Sequence, residues 1–156
     1  MSRDDATEEE NCTDRVCSDF SSWFKRNKNG SKLNKNISAL EHNESCPLDV
    51  NELGRNSWSL LHTMAAYYPE KPSSSDCRQM KQFFDAFSRF YPCNFCAEDL
   101  RNDLKKFPVK CDSRLEFNTW LCDMHNRVNE KLGKPNFNCA NLNSRWKEGP
   151  SDGSCG

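Results

Sequence analysis

From residue 46 onward, apolar side chains recur at intervals of three and four, the spacing that gathers them on one face of an α-helix. Leu61, Met64, Ala65 and Tyr68 make the first such stripe, which Pro69 and Pro72 end. Met80, Phe83, Phe84, Phe87 and Tyr91 make the second, running to Pro92, with Asp76 as the expected N-cap. Ala97, Leu100, Leu104 and Phe107 make the third, stopped by Pro108. Phe117, Leu121, Met124, Val128 and Leu132 make the fourth, opened by Asp112 or Ser113 and closed by Gly133, with Pro135 beyond. No alternating run of Val, Ile and Thr marks a strand. The pattern predicts an all-α fold, a four-helix bundle with a short extra C-terminal helix around Leu142 to Trp146.

Residues 1–45 carry no comparable period and little apolar area to offset the entropy of ordering, so they are expected to form a flexible arm before a domain over 46–156. One patch interrupts the arm: Cys12, Cys17, then Asp19-Phe20-Ser21-Ser22-Trp23-Phe24. It reads as a tethered recognition or redox segment, or else as a tail with incidental cysteines. The arm lacks the apolar stretch of a secretory signal, and its clustered acids argue against a matrix presequence.

Composition changes this picture in two ways. With 22 Lys+Arg against 23 Asp+Glu, a net charge of −1, the chain has no electrostatic footprint for nucleic acid. No apolar run approaches the ~20 residues of a spanning helix, so membrane insertion is not expected. Ten cysteines in 156 residues are many for a reducing compartment. Hydrophobic residues make up only 35%, and the polar arm accounts for part of that shortfall.

Pro92-Cys93-Asn94-Phe95-Cys96 stands where the third helix begins. A Cys-x-x-Cys pair at a helix N-terminus lies at the positive end of the dipole, which favours thiolate and makes a disulfide there easy to exchange. Half of a zinc site and a purely structural bridge are the alternatives. Zinc would require two further ligands at suitable spacing, and no second Cys-x-x-Cys exists; no metal site is expected. Cys122, His125, Asn126 and Asn129 share one face of the fourth helix, either a solvated surface or a wall for a planar ligand. Trp58 and His62, one turn apart beside Gly54 and Arg55, suggest an indole stacked over an imidazole, or simply a core anchor with a boundary histidine. Lys131, Lys134, Arg145 and Trp146 would complete a cradle for adenine and pyrophosphate, with no G-x-G-x-x-G and no P-loop offering another.

Three runs of residues carry a resemblance. They are Cys46-Pro-Leu-Asp through Leu53-Gly-Arg-Asn-Ser-Trp58-Ser-Leu-Leu-His62, then Tyr91-Pro-Cys93-Asn-Phe-Cys96-Ala-Glu-Asp-Leu, then Trp120-Leu-Cys122-Asp-Met-His125-Asn126-Arg-Val-Asn129. Together with Lys131-Leu-Gly-Lys134-Pro and Arg145-Trp146, the chain from Cys46 to Cys155 resembles the ERV/ALR family of FAD-linked sulfhydryl oxidases. The resemblance implies a helical bundle holding FAD at its mouth. It implies Cys93 and Cys96 as the active disulfide, with Cys96 facing the flavin and Cys93 exchanging with the incoming dithiol. Gly54, Arg55, Trp58, His62, Cys122, His125, Asn126, Val128, Asn129, Lys131, Lys134, Arg145 and Trp146 would contact FAD, the basic residues holding its phosphates or adenosine. Cys122 with Cys139 would be a structural bridge, and Cys46 with Cys155 the pair joining two subunits of a homodimer. Long family members carry a shuttle Cys-x-x-Cys before Asp-Phe-x-x-Trp; here Cys12 and Cys17 precede that motif with four residues between them. Cys77 and Cys111 match no family position and are expected as free buried thiols, with a bridge as the alternative. The implied partner is a Mia-type disulfide carrier of the mitochondrial intermembrane space, with oxygen or cytochrome c as electron acceptor; cytosolic or secreted forms are a further expectation. A non-enzymatic, disulfide-stapled interaction module is the competing reading.

Overall fold

The structure, a computed structural model, describes residues 46–153. The predicted arm, with Cys12 and Cys17, and the predicted subunit-linking Cys155 lie outside the described residues. Four α-helices follow one another, α1 Val50–Ala66, α2 Ser74–Phe90, α3 Asn94–Lys106 and α4 Arg114–Lys131. A 3-10 turn at Cys139–Asn141 and a π-helical turn at Ser144–Glu148 stand where the short C-terminal helix was expected. The described residues contain no strand, and no helix among them is long and apolar enough to cross a membrane.

Local chemistry sets each helix start. Asp49 caps α1 by accepting from the Asn51 and Glu52 amides at 2.8 Å, while the Glu52 carboxylate accepts from the Asp49 N–H at 2.9 Å. The N-cap of α2 is Ser73, not Asp76: the serine Oγ accepts from the Asp76 amide, and the Asp76 carboxylate accepts in return from the Ser73 N–H. Asp76 thus stands three residues inside, as the acidic half of a capping box, where its backbone bonds hold its carboxyl below the usual range. Ser113 caps α4 through the Glu116 amide at 3.1 Å. Gly133 leaves α4 in the left-handed region (φ 64°), which a residue with a Cβ resists.

The helices pack α1 on α4 and α2 on α3, with the π-helical turn against α1. Leu61 and Ala65 from α1, Phe84 from α2, and Phe117, Trp120, Leu121 and Met124 from α4 share one core. Phe84 meets Trp120 edge to face at 4.9 Å and 83° and Phe117 at 6.0 Å and 77°. Truncating such a fully buried Phe to Ala typically costs about 3–5 kcal/mol.

Three disulfides brace this frame: Cys77–Cys111, Cys93–Cys96 and Cys122–Cys139. The first corrects the expectation of two free thiols. The fold sets the start of α2 beside the loop that enters α4, placing the two Cα atoms 5.3 Å apart, within bridging range. The Tyr68 hydroxyl donates to the Cys111 carbonyl at 3.1 Å, and Arg114 donates to the Tyr68 carbonyl, so three connections are tied at that end. Cys46 is the one cysteine among the described residues outside a disulfide.

Candidate functional site

Pro92 and the turn at Cys93 bring the Cys93–Cys96 disulfide to the start of α3, where Cys93 is itself the N-cap and its Sγ accepts from the Cys96 amide at 3.3 Å. The positive end of the helix dipole at this point favours negative charge on sulfur. The two sulfurs differ in surroundings. Cys93 is fully buried, at 0% exposure, whereas Cys96 is half-buried and lines a cavity of about 800 Å³. That volume suits a small-molecule or cofactor site.

The cavity is walled by all four helices, α2 through Phe84 and Phe87, and by the segment after α4. From α1 come Gly54, Arg55, Trp58 and His62; from α4 come Cys122, His125, Asn126, Val128, Asn129 and Lys131; beyond it come Lys134, Arg145 and Trp146. The structure therefore gathers all thirteen residues singled out for a cofactor, with Cys96, around one space. It also places there Tyr91, Phe95, Asp99, Asp103 and Phe137, which the sequence reading passed over. Asp99 and Asp103 follow Cys96 at helical spacing on α3, a signal that was available in the chain.

Aromatic contacts are arranged differently from the expectation. Trp58 does not stack on His62, whose ring is tilted by 35° at 5.9 Å. Two residues one turn apart on a helix stand side by side, so each ring takes its facing partner from another element. Trp58 lies on His125 at 4.0 Å and 2°, and His62 lies on Trp146 at 4.8 Å and 8°. The imidazoles meet, His62 Nε2 to His125 Nδ1, at 2.9 Å. Burial pushes both histidines down to about 4, helped for His62 by His125 and Arg145 and for His125 by Lys134. Both rings are therefore neutral near pH 7. Among the described residues His62 Nδ1 is buried with no partner, a hydrogen-bonding atom left for a ligand in a residue that lines the cavity.

The polar groups of α4 divide into two sets. Asn126 turns its amide onto the following loop, donating to the Phe137 carbonyl at 2.9 Å and accepting from the Phe137 N–H at 2.8 Å. With the Cys122–Cys139 bridge, it fixes the strap that carries the 3-10 and π-helical turns back over the helices. Lys131 Nζ donates to both Asp99 oxygens, at 2.8 and 2.9 Å, and to Asp103 Oδ2 at 2.7 Å. Burial opposes its charge, but the hydrogen bonds and charges of the two carboxylates outweigh that and raise its pKa. Arg55, Lys134 and Arg145 bring further positive charge to the walls, with the Arg145 guanidinium 4.3 Å from the Trp146 ring centroid. No group of three or more metal-ligating side chains is found among the described residues.

An exchangeable disulfide thus opens onto a large pocket lined by aromatic rings stacked in pairs, neutral imidazoles and cationic groups. Such a pocket can receive a planar ring system with an anionic tail. The profile of the Erv1 / Alr family matches residues 55–147. The chain is 47% identical over 103 residues to the mitochondrial FAD-linked sulfhydryl oxidase ERV1 of Saccharomyces cerevisiae, covering 66% of this chain and 54% of that one. It is 45% identical over 103 residues to the FAD-linked sulfhydryl oxidase ERV1 of Oryza sativa subsp. japonica, covering 66% and 53%. The chain spans about half the length of these curated relatives. Among solved structures, the yeast Erv1 core superposes with a TM-score of 0.68 at 41% identity, over 76% of this chain and all of that one. The FAD binding domain of Erv1 from Saccharomyces cerevisiae does so with a TM-score of 0.65 at 45% identity, over 67% and 100%.

Proposed function

The chain belongs to the Erv1/Alr family, and from that membership we propose that it is an FAD-linked sulfhydryl oxidase that makes disulfides in a partner protein. The observation that carries this reading is the Cys93–Cys96 disulfide at the start of α3, with Cys96 on the wall of the aromatic cavity. FAD fits that cavity on two counts. Trp58, His62, His125 and Trp146 line it as two stacked aromatic pairs, and the buried His62 Nδ1 has no partner among the described residues. Arg55, Lys134 and Arg145 would serve the phosphates. Within the resemblance-derived set Cys122 is bridged to Cys139, Asn126 is held by Phe137, and Lys131 is paired with the two aspartates.

The chemistry of this chain's own residues starts with thiol exchange. A thiolate of the reduced partner attacks Cys93, the S–S bond breaks, and Cys96 leaves as a thiolate at the positive end of α3. The partner's second thiolate then attacks the partner sulfur of the mixed disulfide and frees Cys93, so two electrons have moved from the partner to Cys93 and Cys96, while the protons shed by the partner's thiols pass to water. Because Cys93 is fully buried, its cover must shift before a protein thiolate reaches it. FAD, when bound, supplies the acceptor for that electron pair and the route onward to oxygen or cytochrome c.

The finer assignments belong to the same proposal. The Cys12/Cys17 pair relays electrons to Cys93–Cys96, Cys46 and Cys155 link two subunits of a homodimer, and the partner is a Mia-type carrier in the mitochondrial intermembrane space. The mitochondrial naming of the yeast relative supports the compartment. Purified full-length protein should be yellow and should consume oxygen on addition of dithiothreitol. A fully folded, colourless protein that consumes none would instead support a non-enzymatic stapled module.

A further inference from the structure

Asp99 follows Cys96 by one helical turn on α3, close enough for their side chains to be neighbours, and Asp103 follows by another. All three line the cavity, and Asp103 is buried, at 6% exposure. Carboxylates on that face oppose a thiolate on Cys96, the form that exchanges disulfides. The Lys131 ammonium from α4 reaches both, within 2.9 Å of each Asp99 oxygen and 2.7 Å from Asp103.

We propose that Lys131 is a positioning residue for the active disulfide rather than a phosphate ligand, its ammonium offsetting the charges of Asp99, one turn from Cys96, and Asp103, one turn further, and tying α3 to α4. The assignment deepens the oxidase reading and rests on Cys93–Cys96 being its redox pair. The other titratable groups around the cavity are Arg55 and His62 on α1, Tyr91 after α2, and His125 on α4, with Lys134 and Arg145 beyond. The histidines stay neutral from pH 6 upward, and burial favours the phenol form of Tyr91. Loss of Lys131 therefore changes the field at Cys96 chiefly by uncovering the two carboxylates.

The test uses full-length protein carrying Cys93→Ser, so that Cys96 is a single thiol, and follows its alkylation by iodoacetamide against pH by peptide mass spectrometry. Lys131→Gln should raise the Cys96 pKa and slow alkylation at pH 7 roughly three- to tenfold. Adding Asp99→Asn should restore most of the rate, and Lys131→Arg should keep it. Because Lys131→Gln strands the buried Asp103 charge, Asp103→Asn/Lys131→Gln serves as the variant without a stranded charge and should show the same direction of shift. FAD affinity, measured separately, should change less than about threefold in that pair. Unchanged Cys96 reactivity, or a loss that Asp99→Asn does not repair, overturns the assignment, as does a tenfold or greater loss of FAD affinity with Cys96 unaffected. Failure of wild-type protein to oxidise dithiols would instead count against the oxidase reading, whatever the alkylation series gives.

Discussion

His62 Nε2 and His125 Nδ1 meet at 2.9 Å, joining α1 to α4 through two rings that are each stacked on a tryptophan. A single proton serves this contact, and a second proton would put charge into a desolvated stack.

That relationship makes stability depend on pH. Burial lowers both histidines from 6.5 to about 4, so the unfolded chain binds protons more readily than the folded one between those values. Their contribution is complete above pH 6.5 and is lost as pH falls from 6.5 toward 4. Each ring alone corresponds to at most about 3 kcal/mol, and the shared bond makes the pair worth less than the sum. The melting temperature should fall over this window, and His125→Gln should flatten the fall. A melting profile that is flat between pH 7 and 4.5 would contradict the contact.

The Cys77–Cys111 bridge closes a loop of sequence separation 34 that contains α2 from Cys77 onward, the active disulfide and α3. In the chain-entropy treatment such a loop corresponds to about 4 kcal/mol. Cys77→Ala/Cys111→Ala should lose roughly 2–4 kcal/mol in urea unfolding while retaining dithiothreitol oxidation below the new midpoint. Unchanged stability would mean that the bridge does not brace the hairpin.

Asn126→Ala should loosen the strap behind the cavity, since it leaves the Phe137 N–H and carbonyl without the side chain that now pairs both. Losing that pairing costs roughly 1–3 kcal/mol. FAD affinity, titrated by fluorescence, should drop about tenfold or more, with faster hydrogen exchange across 134–146. Unaltered affinity would separate the strap from cofactor binding.

The arm is tested by substrate choice. Cys12→Ser should spare the oxidation of dithiothreitol and slow that of a protein dithiol about tenfold or more, both read as oxygen uptake. An equal loss on both substrates would contradict a relay role for the pair.

Most of the fold was legible because amphipathic period and Pro and Gly punctuation are local properties. The stripes through Leu61–Tyr68 and Phe117–Leu132 coincide with the faces that α1 and α4 bury. What could not be seen locally were choices decided by neighbours in space. Asp76 and Ser73 are both good capping residues, and the position of the first turn selects between them. Cys77 finds Cys111 only once α2 lies beside the entry to α4. Trp58 carries no sign that its ring partner is His125 from another helix. Lys131 looks like a free cation until α3 brings Asp99 and Asp103 to it. The candidate site was legible as a set of residue types, whereas their pairing was not.

The central claim is that Cys96 delivers electrons from a dithiol to FAD in the adjoining cavity. The most direct measurement follows the yellow absorbance of the FAD-loaded protein after dithiothreitol is added without oxygen. Wild type should bleach rapidly and recover when air is admitted, while Cys96→Ser should retain its FAD and bleach at least a hundredfold more slowly. Equal bleaching in the two proteins, or no bleaching in wild type, would contradict the claim.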